Sequence, residues 1–249
     1  MQFIQTHKVF YIVLLFVVAL FIFVLVQFLY IKYNGQVVPA PKIPRETQTF
    51  GEGKPLEFVV LGDSTSIGQG AEYSQSIATK SAEYLARNYK VNLTNFGVSG
   101  AITSEVLTQQ VDKAVALTPD VVLIATGAND VTKFTPYHTV DESMRAIIQK
   151  LKRANPEVEI ILTGSPQVGS VTRFPWPTNE LARHRVGKIN ETFDRIAQQE
   201  NVVRIPLAEE TGPLFQNNPS LFAKDNFHPN AAGYATWQPI INRALDTIK

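Results

Sequence analysis

Four short blocks of this sequence carry residue types that can do chemistry: Gly62-Asp63-Ser64, Asn95-Phe96-Gly97-Val98-Ser99-Gly100, Gly127-Ala128-Asn129-Asp130 and Asp225-Asn226-Phe227-His228-Pro229-Asn230. A serine hydroxyl is a poor nucleophile until a base accepts its proton. His228 is the candidate base. Asp225 lies three residues earlier in a turn, where its carboxylate can meet the other ring nitrogen and fix the tautomer. Ser64 is the candidate nucleophile, just past an apolar stretch where a helix can begin. An oxyanion that develops during acyl transfer needs preorganised donors. The backbone N–H groups of Ser64 and Gly97 and the side-chain amide of Asn129 are the candidates. Glycine at 97 permits close approach and an unusual backbone angle.

Each residue also has a plainer reading. A serine such as Ser64 commonly caps a helix, and Asn129 and Asp130 are ordinary turn formers. The Asp-x-x-His spacing and the other blocks favour chemistry for Ser64, Asn129, Asp225 and His228. Asp130 is read as holding its loop and Asn95 as bonding loop backbone. Ser99 has no matching base. His184, between Arg183 and Arg185, is read as part of a solvated basic helix face, and His138 as a surface loop residue.

The elements that must position these blocks follow from hydrophobic periodicity. Short apolar strands are expected at 56–61, 91–95, 121–126, 158–163 and 202–205. Helices are expected at 76–89, 104–116, 140–154, 179–199 and 231–248. Alternating strands and helices imply a parallel sheet covered on both faces. Right-handed crossovers make it an α/β, flavodoxin-like three-layer sandwich with a five-stranded parallel sheet. Ligands bind such sheets beyond the carboxyl ends of the strands, where the polar blocks fall. The loop at 164–178 holds Phe174 and Trp176, and Phe134 follows the Asn129 block. These three aromatics are candidate substrate contacts for an acyl chain or a sugar.

Composition divides the chain in two. Residues 1–32 hold 25 hydrophobic residues, 6 of the 15 Phe, two Lys and no acid. Residues 9–26 are unbroken apolar sequence, and a helix over 9–31 spans roughly 34 Å, enough for a bilayer core of about 30 Å. The run is longer than a signal-peptide core, and the small-residue site at Val38-Pro39-Ala40 precedes Pro41, which is poor for cleavage. We expect one N-terminal transmembrane anchor (1–32), a Pro/Gly-rich tether (33–55) and a catalytic domain (56–249). The flanking lysines divide between both sides. A short leading tail favours a single-pass membrane protein with its domain outside the cytoplasm. The chain has no cysteine, which removes disulfides and thiolate chemistry. A net charge of +1 argues against nucleic acid as a partner. Four histidines without a His-x-x-x-His pair argue against a helical metal site.

The four blocks, in this order and at these boundaries, resemble the SGNH (GDSL-type) hydrolase family over about residues 56–249. The resemblance implies Ser64 as nucleophile, Asp225 and His228 as its partners, Ser64, Gly97 and Asn129 as the oxyanion hole, and no metal or cofactor. The neighbourhoods look most like bacterial lysophospholipase/thioesterase-type esterases. The expected activity is hydrolysis of carboxylic esters through an acyl-enzyme, on acyl esters or lysophospholipids. An O-acetyl esterase or acyltransferase acting on carbohydrate, or a non-catalytic binding domain, stays open as an alternative. Gly-x-Ser-x-Gly is absent, which excludes the α/β-hydrolase elbow.

Overall fold

The computed structural model describes residues 2–33, 36 and 38–248. The chain opens with helix α1 (Gln2–Tyr33), followed by strands β1 (Gln48–Phe50) and β2 (Lys54–Gly62), helix α2 (Ile77–Leu85) and strand β3 (Tyr89–Asn95). Helices α3 (Thr103–Gln109) and α4 (Val111–Val115), strand β4 (Val121–Ala125) and helices α5 (Ala128–Thr132) and α6 (Tyr137–Ala154) come next. Strand β5 (Glu159–Leu162), helix α7 (Thr178–Glu200), strand β6 (Val203–Arg204) and helices α8 (Leu207–Asn217) and α9 (Ala231–Leu245) complete the order.

The sheet runs β1-β3-β2-β4-β5-β6, with β3, β2, β4, β5 and β6 parallel and β1 antiparallel at one edge. The five parallel strands are those read from the sequence, in flavodoxin-like order. Strand β1 is a correction, because it lies within the stretch read as an extended tether. Its Thr and Phe suit a strand, and Thr49 Oγ1 donates to Asn92 Oδ1 of β3 at 3.1 Å. Both faces of the sheet are covered, which is why its central strands read as continuous apolar runs. On β2, Phe58 and Val60 point to one core with α2 and α9, while Val59 and Leu61 point to the other with α6 and α7.

Two further departures have local causes. The helix expected over 104–116 breaks into α3 and α4 at Gln110. That buried side chain receives a hydrogen bond from Gly62 N and donates one to Gly62 O, both at 2.8 Å. Helix α8 is not among the elements expected from the sequence. Gly212-Pro213 reads as a breaker, but Leu207, Ala208 and Phe215 are buried in the core, and packing overrides propensity.

Helix α1 contains the single segment, among the described residues, that is long and apolar enough to cross a membrane (His7–Tyr33).

Candidate active site

Strand β2 delivers the first block. It ends at Gly62, whose φ is +142° and where a Cβ would lie 1.9 Å from the Ala125 carbonyl oxygen of β4. Only glycine lets the two strand ends close in this way. The chain then turns instead of starting a helix. Thr65 N donates to Asp63 Oδ1 at 2.8 Å, Ser66 N to Asp63 O at 3.1 Å and Gln69 N to Ser64 O at 3.0 Å. Ser64 is thus held on a tight turn above the sheet and is 4% exposed.

The last block arrives on the loop before α9. Asp225 Oδ1 accepts the backbone N–H groups of Phe227 and His228, each at 3.0 Å. Its other oxygen, Oδ2, lies 2.5 Å from His228 Nδ1, and His228 Nε2 lies 3.0 Å from Ser64 Oγ. Burial pushes the Asp225 carboxyl upward, but the His228 ring and the two amides more than offset it, so its pKa falls below the ordinary value. A fixed carboxylate thus orients an imidazole whose far nitrogen meets a hydroxyl. That is the geometry in which a hydroxyl can lose its proton while it attacks a carbonyl.

The three expected oxyanion donors are in different states. Among the described residues, Ser64 N donates to no protein acceptor. Gly97 N donates to Asn95 Oδ1 at 2.9 Å. Asn129 Nδ2 lies 3.3 Å from Asp63 Oδ2 and 3.2 Å from Ala101 O. Gly97 allows close approach, since a Cβ there would meet Ser66 Oγ at 1.9 Å. It does not take the unusual backbone angle expected of it, because its φ is not positive. Asn95 bonds loop backbone as expected, its Nδ2 donating to Ser66 O at 2.9 Å. Asp130 accepts from Thr103 N at 3.0 Å and Thr103 Oγ1 at 2.8 Å, so it ties α5 to α3. Ser99 Oγ donates to Gln69 Oε1, His184 is exposed on α7 as expected, and His138 is exposed but lies in the first turn of α6, not in a loop.

Asp63 has a place the sequence did not reveal. It is fully buried, and its carboxyl is pushed up to about 6, chiefly by burial, although Thr65 hydrogen bonds and the nearby His228 pull the other way.

Ser64 and His228 open on two spaces. The larger is a cleft of about 630 Å³ lined mainly by apolar groups, with Phe134, Phe174, Leu181 and Phe227 among them. Phe174 meets Phe227 edge to face, with ring centroids 6.0 Å apart. Trp176 departs from expectation: it is 69% exposed and stands outside the lining of both spaces, two residues beyond an inward-turned Phe174. The smaller space, about 30 Å³, lies against Val168, Val171, Phe215 and Phe222 as well as the pair.

This geometry has counterparts among known proteins. The GDSL-like Lipase/Acylhydrolase family model matches residues 60–236 and so spans all four blocks. The chain belongs to this family. It is accordingly a serine ester hydrolase of the GDSL type. No curated protein matches the sequence. Among solved structures the enzyme is similar to TesA, at 20% identity over 78% of this chain and 99% of that one, with a TM-score of 0.65. It is also similar to a lipase/acylhydrolase from Enterococcus faecalis, at 19% identity over 77% and 96% of the two chains, TM-score 0.60. An acetyl xylan esterase, AlAXEase, matches at 20% identity over 76% and 100%, TM-score 0.59. At these identities the structures share the fold.

The sequence reading missed several residues of the cleft. Arg173 lines it beside Phe174, and Val24, Gln27, Phe28 and Ile31 of α1 line it from the other side. Gln27 carried a signal, as the lone interruption in an apolar run from Val9 to Ile31.

Proposed function

We propose that this enzyme is a membrane-anchored esterase of long-chain acyl esters, with Ser64, His228 and Asp225 as its triad. The reading rests on the Ser64–His228–Asp225 chain of contacts at 3.0 and 2.5 Å, opening on a large apolar cleft. Ser64 Oγ attacks the acyl carbonyl as His228 Nε2 takes its proton. The tetrahedral intermediate places its oxygen toward Ser64 N, Gly97 N and Asn129 Nδ2. Collapse breaks the ester C–O bond, and His228 returns the proton to the departing alcohol. Water, deprotonated by the same imidazole, then releases the acid and restores the serine. Helix α1 serves as the anchor and the triad lies outside the cytoplasm. The sequence from 33 to the start of the sheet is the tether.

A second reading has its own support. The small space beside Ser64 and His228 suits an acyl group of about two carbons, and an acetyl xylan esterase shares the fold. On that reading the large cleft holds the alcohol, such as an acetylated glycan. An ester panel run on the full chain in detergent separates the two. Rates that rise from acetyl to dodecanoyl esters of one alcohol support the lipid reading. Rates that fall steeply beyond acetyl overturn it in favour of the glycan reading. Hydrolysis that persists in Ser64→Ala overturns the triad.

A further inference from the structure

Helix α1 is apolar on every side, yet it does not face the catalytic domain at random. Among its described side chains from residue 7 onward, only Gln27 and Ile31 are half-buried, and all the others are exposed. These two lie one turn apart on one face. With Val24 and Phe28 they line the cleft that holds Ser64 and His228. The contact is fixed by more than apolar packing. The Ile31 carbonyl is one of the last four of α1 and has no partner within the helix. Arg173 supplies one, its Nε and Nη2 donating to Ile31 O at 3.4 and 3.3 Å.

Depth follows from helix geometry. A core of about 30 Å takes about 20 residues at 1.5 Å each. Counted from Lys8, the hydrocarbon ends near Phe28. Gln27 to Ile31 then sit where acyl chains meet their ester groups, whichever way the helix is oriented. Gln27 is the one side-chain amide in this stretch, and its Oε1 is buried with no hydrogen-bond partner among the described residues. A buried acceptor without a donor is costly, so a donor is expected when the site is occupied.

We propose that the last turns of α1 are a wall of the active site, not only an anchor. In this arrangement an acyl ester passes sideways from the leaflet into the cleft between α1 and the domain. Gln27 Oε1 then accepts a hydrogen bond from a free hydroxyl on its alcohol portion. The ligand class is a single-chain acyl ester of a polyol that resides in the membrane surface. The inference deepens the lipid-esterase reading and rests on it. Gln27 is a specificity residue here: it touches substrate but not the reacting atoms.

The test uses the full chain in detergent mixed micelles and two esters, 1-monopalmitoylglycerol, which has free hydroxyls, and ethyl palmitate, which has none. Gln27→Leu should lower the ratio of kcat/KM for the first over the second by about 3–10-fold, the worth of one neutral hydrogen bond. Leu15→Ala, on α1 and exposed, should leave both rates alone. An unchanged ratio in Gln27→Leu overturns the proposal. A second measurement separates it from the reading beneath it. The chain has no cysteine, so Gln27→Cys provides a unique thiol. After a dodecyl phosphonate ester modifies Ser64, maleimide labelling of that thiol should slow several-fold. Modification of Ser64 with unchanged labelling overturns the wall and leaves the esterase standing. Failure of the phosphonate to modify Ser64 overturns both.

Discussion

The carboxylate of Asp63, the residue before Ser64, accepts from the side-chain amide of Asn129, Oδ2 to Nδ2 3.3 Å. Two of the sequence blocks are thereby joined through the residue of Gly62-Asp63-Ser64 to which the sequence assigned no role. Burial raises the Asp63 pKa from 3.8 to about 6. A raised carboxyl binds its proton more tightly folded than unfolded, so its stabilising contribution is complete below about pH 3.8. That contribution is lost as pH rises through 6. Two pKa units correspond to about 3 kcal/mol. Thermal unfolding of the full chain in detergent should therefore show Asp63 eroding stability between pH 4 and 7. Asp63→Asn should flatten that slope. An identical slope in the variant would assign it to other groups.

Asn129 is expected to act on the transition state and not on binding. It stands on the first turn of α5 and lines, with Ser64, the large cleft where the proposed acyl oxygen would gain charge. Asn129→Ala should lower kcat by roughly 10²–10³-fold with KM little changed, the usual loss for one oxyanion donor. An unaltered kcat would remove Asn129 from the hole. The same assay on Asp63→Asn should show a smaller fall in kcat, because the amide stays but loses its charged partner.

Much of this site was legible because its residues are tied to strand ends. Hydrophobic runs marked the five parallel strands, and the polar blocks followed them at once, so Ser64, Gly97 and Asn129 fell on one edge of the sheet. Asp225 and His228 carried their own local spacing. What escaped was set by tertiary packing. Strand β1 is three residues long and exists because β3 offers it an edge. Helix α8 tolerates Pro213 because its apolar face is buried. Gln110 interrupts a helix to bracket Gly62 across 48 residues of sequence. Trp176 and Phe174 are alike in type, and nothing in sequence separates the one turned inward from the one left in solvent.

Those two aromatics make a paired test of the cleft. Phe174 is part of the lining and packs on Phe227, next to His228. Truncation to alanine removes apolar surface from the proposed acyl path, at roughly 25 cal/mol for each Å² that an acyl chain there would no longer bury. Phe174→Ala should lower kcat/KM for dodecanoyl esters about 10-fold or more, and for acetyl esters less. Trp176→Ala should leave the chain-length profile flat relative to the unmodified chain. Equal effects from the two would mean that the lining differs from the one described.

The Asp225–His228 pairing sets the tautomer that the mechanism needs. Asp225→Asn keeps shape and most hydrogen bonds, but its amide N–H donates to Nδ1 and so favours the wrong tautomer, with the ring proton on Nε2. In an unrelated serine enzyme the corresponding change costs about 10⁴ in kcat. A fall of that order is expected here, read with a short-chain chromogenic ester. The depressed Asp225 pKa gives a second readout. A lowered carboxyl contributes stability above its unfolded value, and that contribution fades as pH falls through the folded one. Asp225→Asn should thus be less stable than the unmodified chain near neutrality, with the gap closing in acid. A gap that widens in acid would contradict this account of the Asp225 carboxylate.

Gly97 gives the sharpest steric prediction. A Cβ at this position would lie 1.9 Å from Ser66 Oγ, 2.8 Å from Ile67 Cγ2 and 3.0 Å from Asn95 Oδ1. Ser66 cannot simply rotate away, because it is fully buried and its Oγ donates to Asp63 O at 2.7 Å. The backbone at 97 must shift instead, and its N–H, which donates to Asn95 Oδ1 at 2.9 Å, shifts with it. Gly97→Ala should therefore cost about 1–3 kcal/mol of stability, the range for overpacking, together with a loss of kcat. If the clash with Oγ is the cause, Ser66→Ala in the same chain removes the nearest atom and restores part of both. The hydroxyl's bond to Asp63 O is lost in that double variant, so recovery should be incomplete. A double variant no better than Gly97→Ala alone would show that Ile67 and Asn95, not Ser66, set the limit at this position.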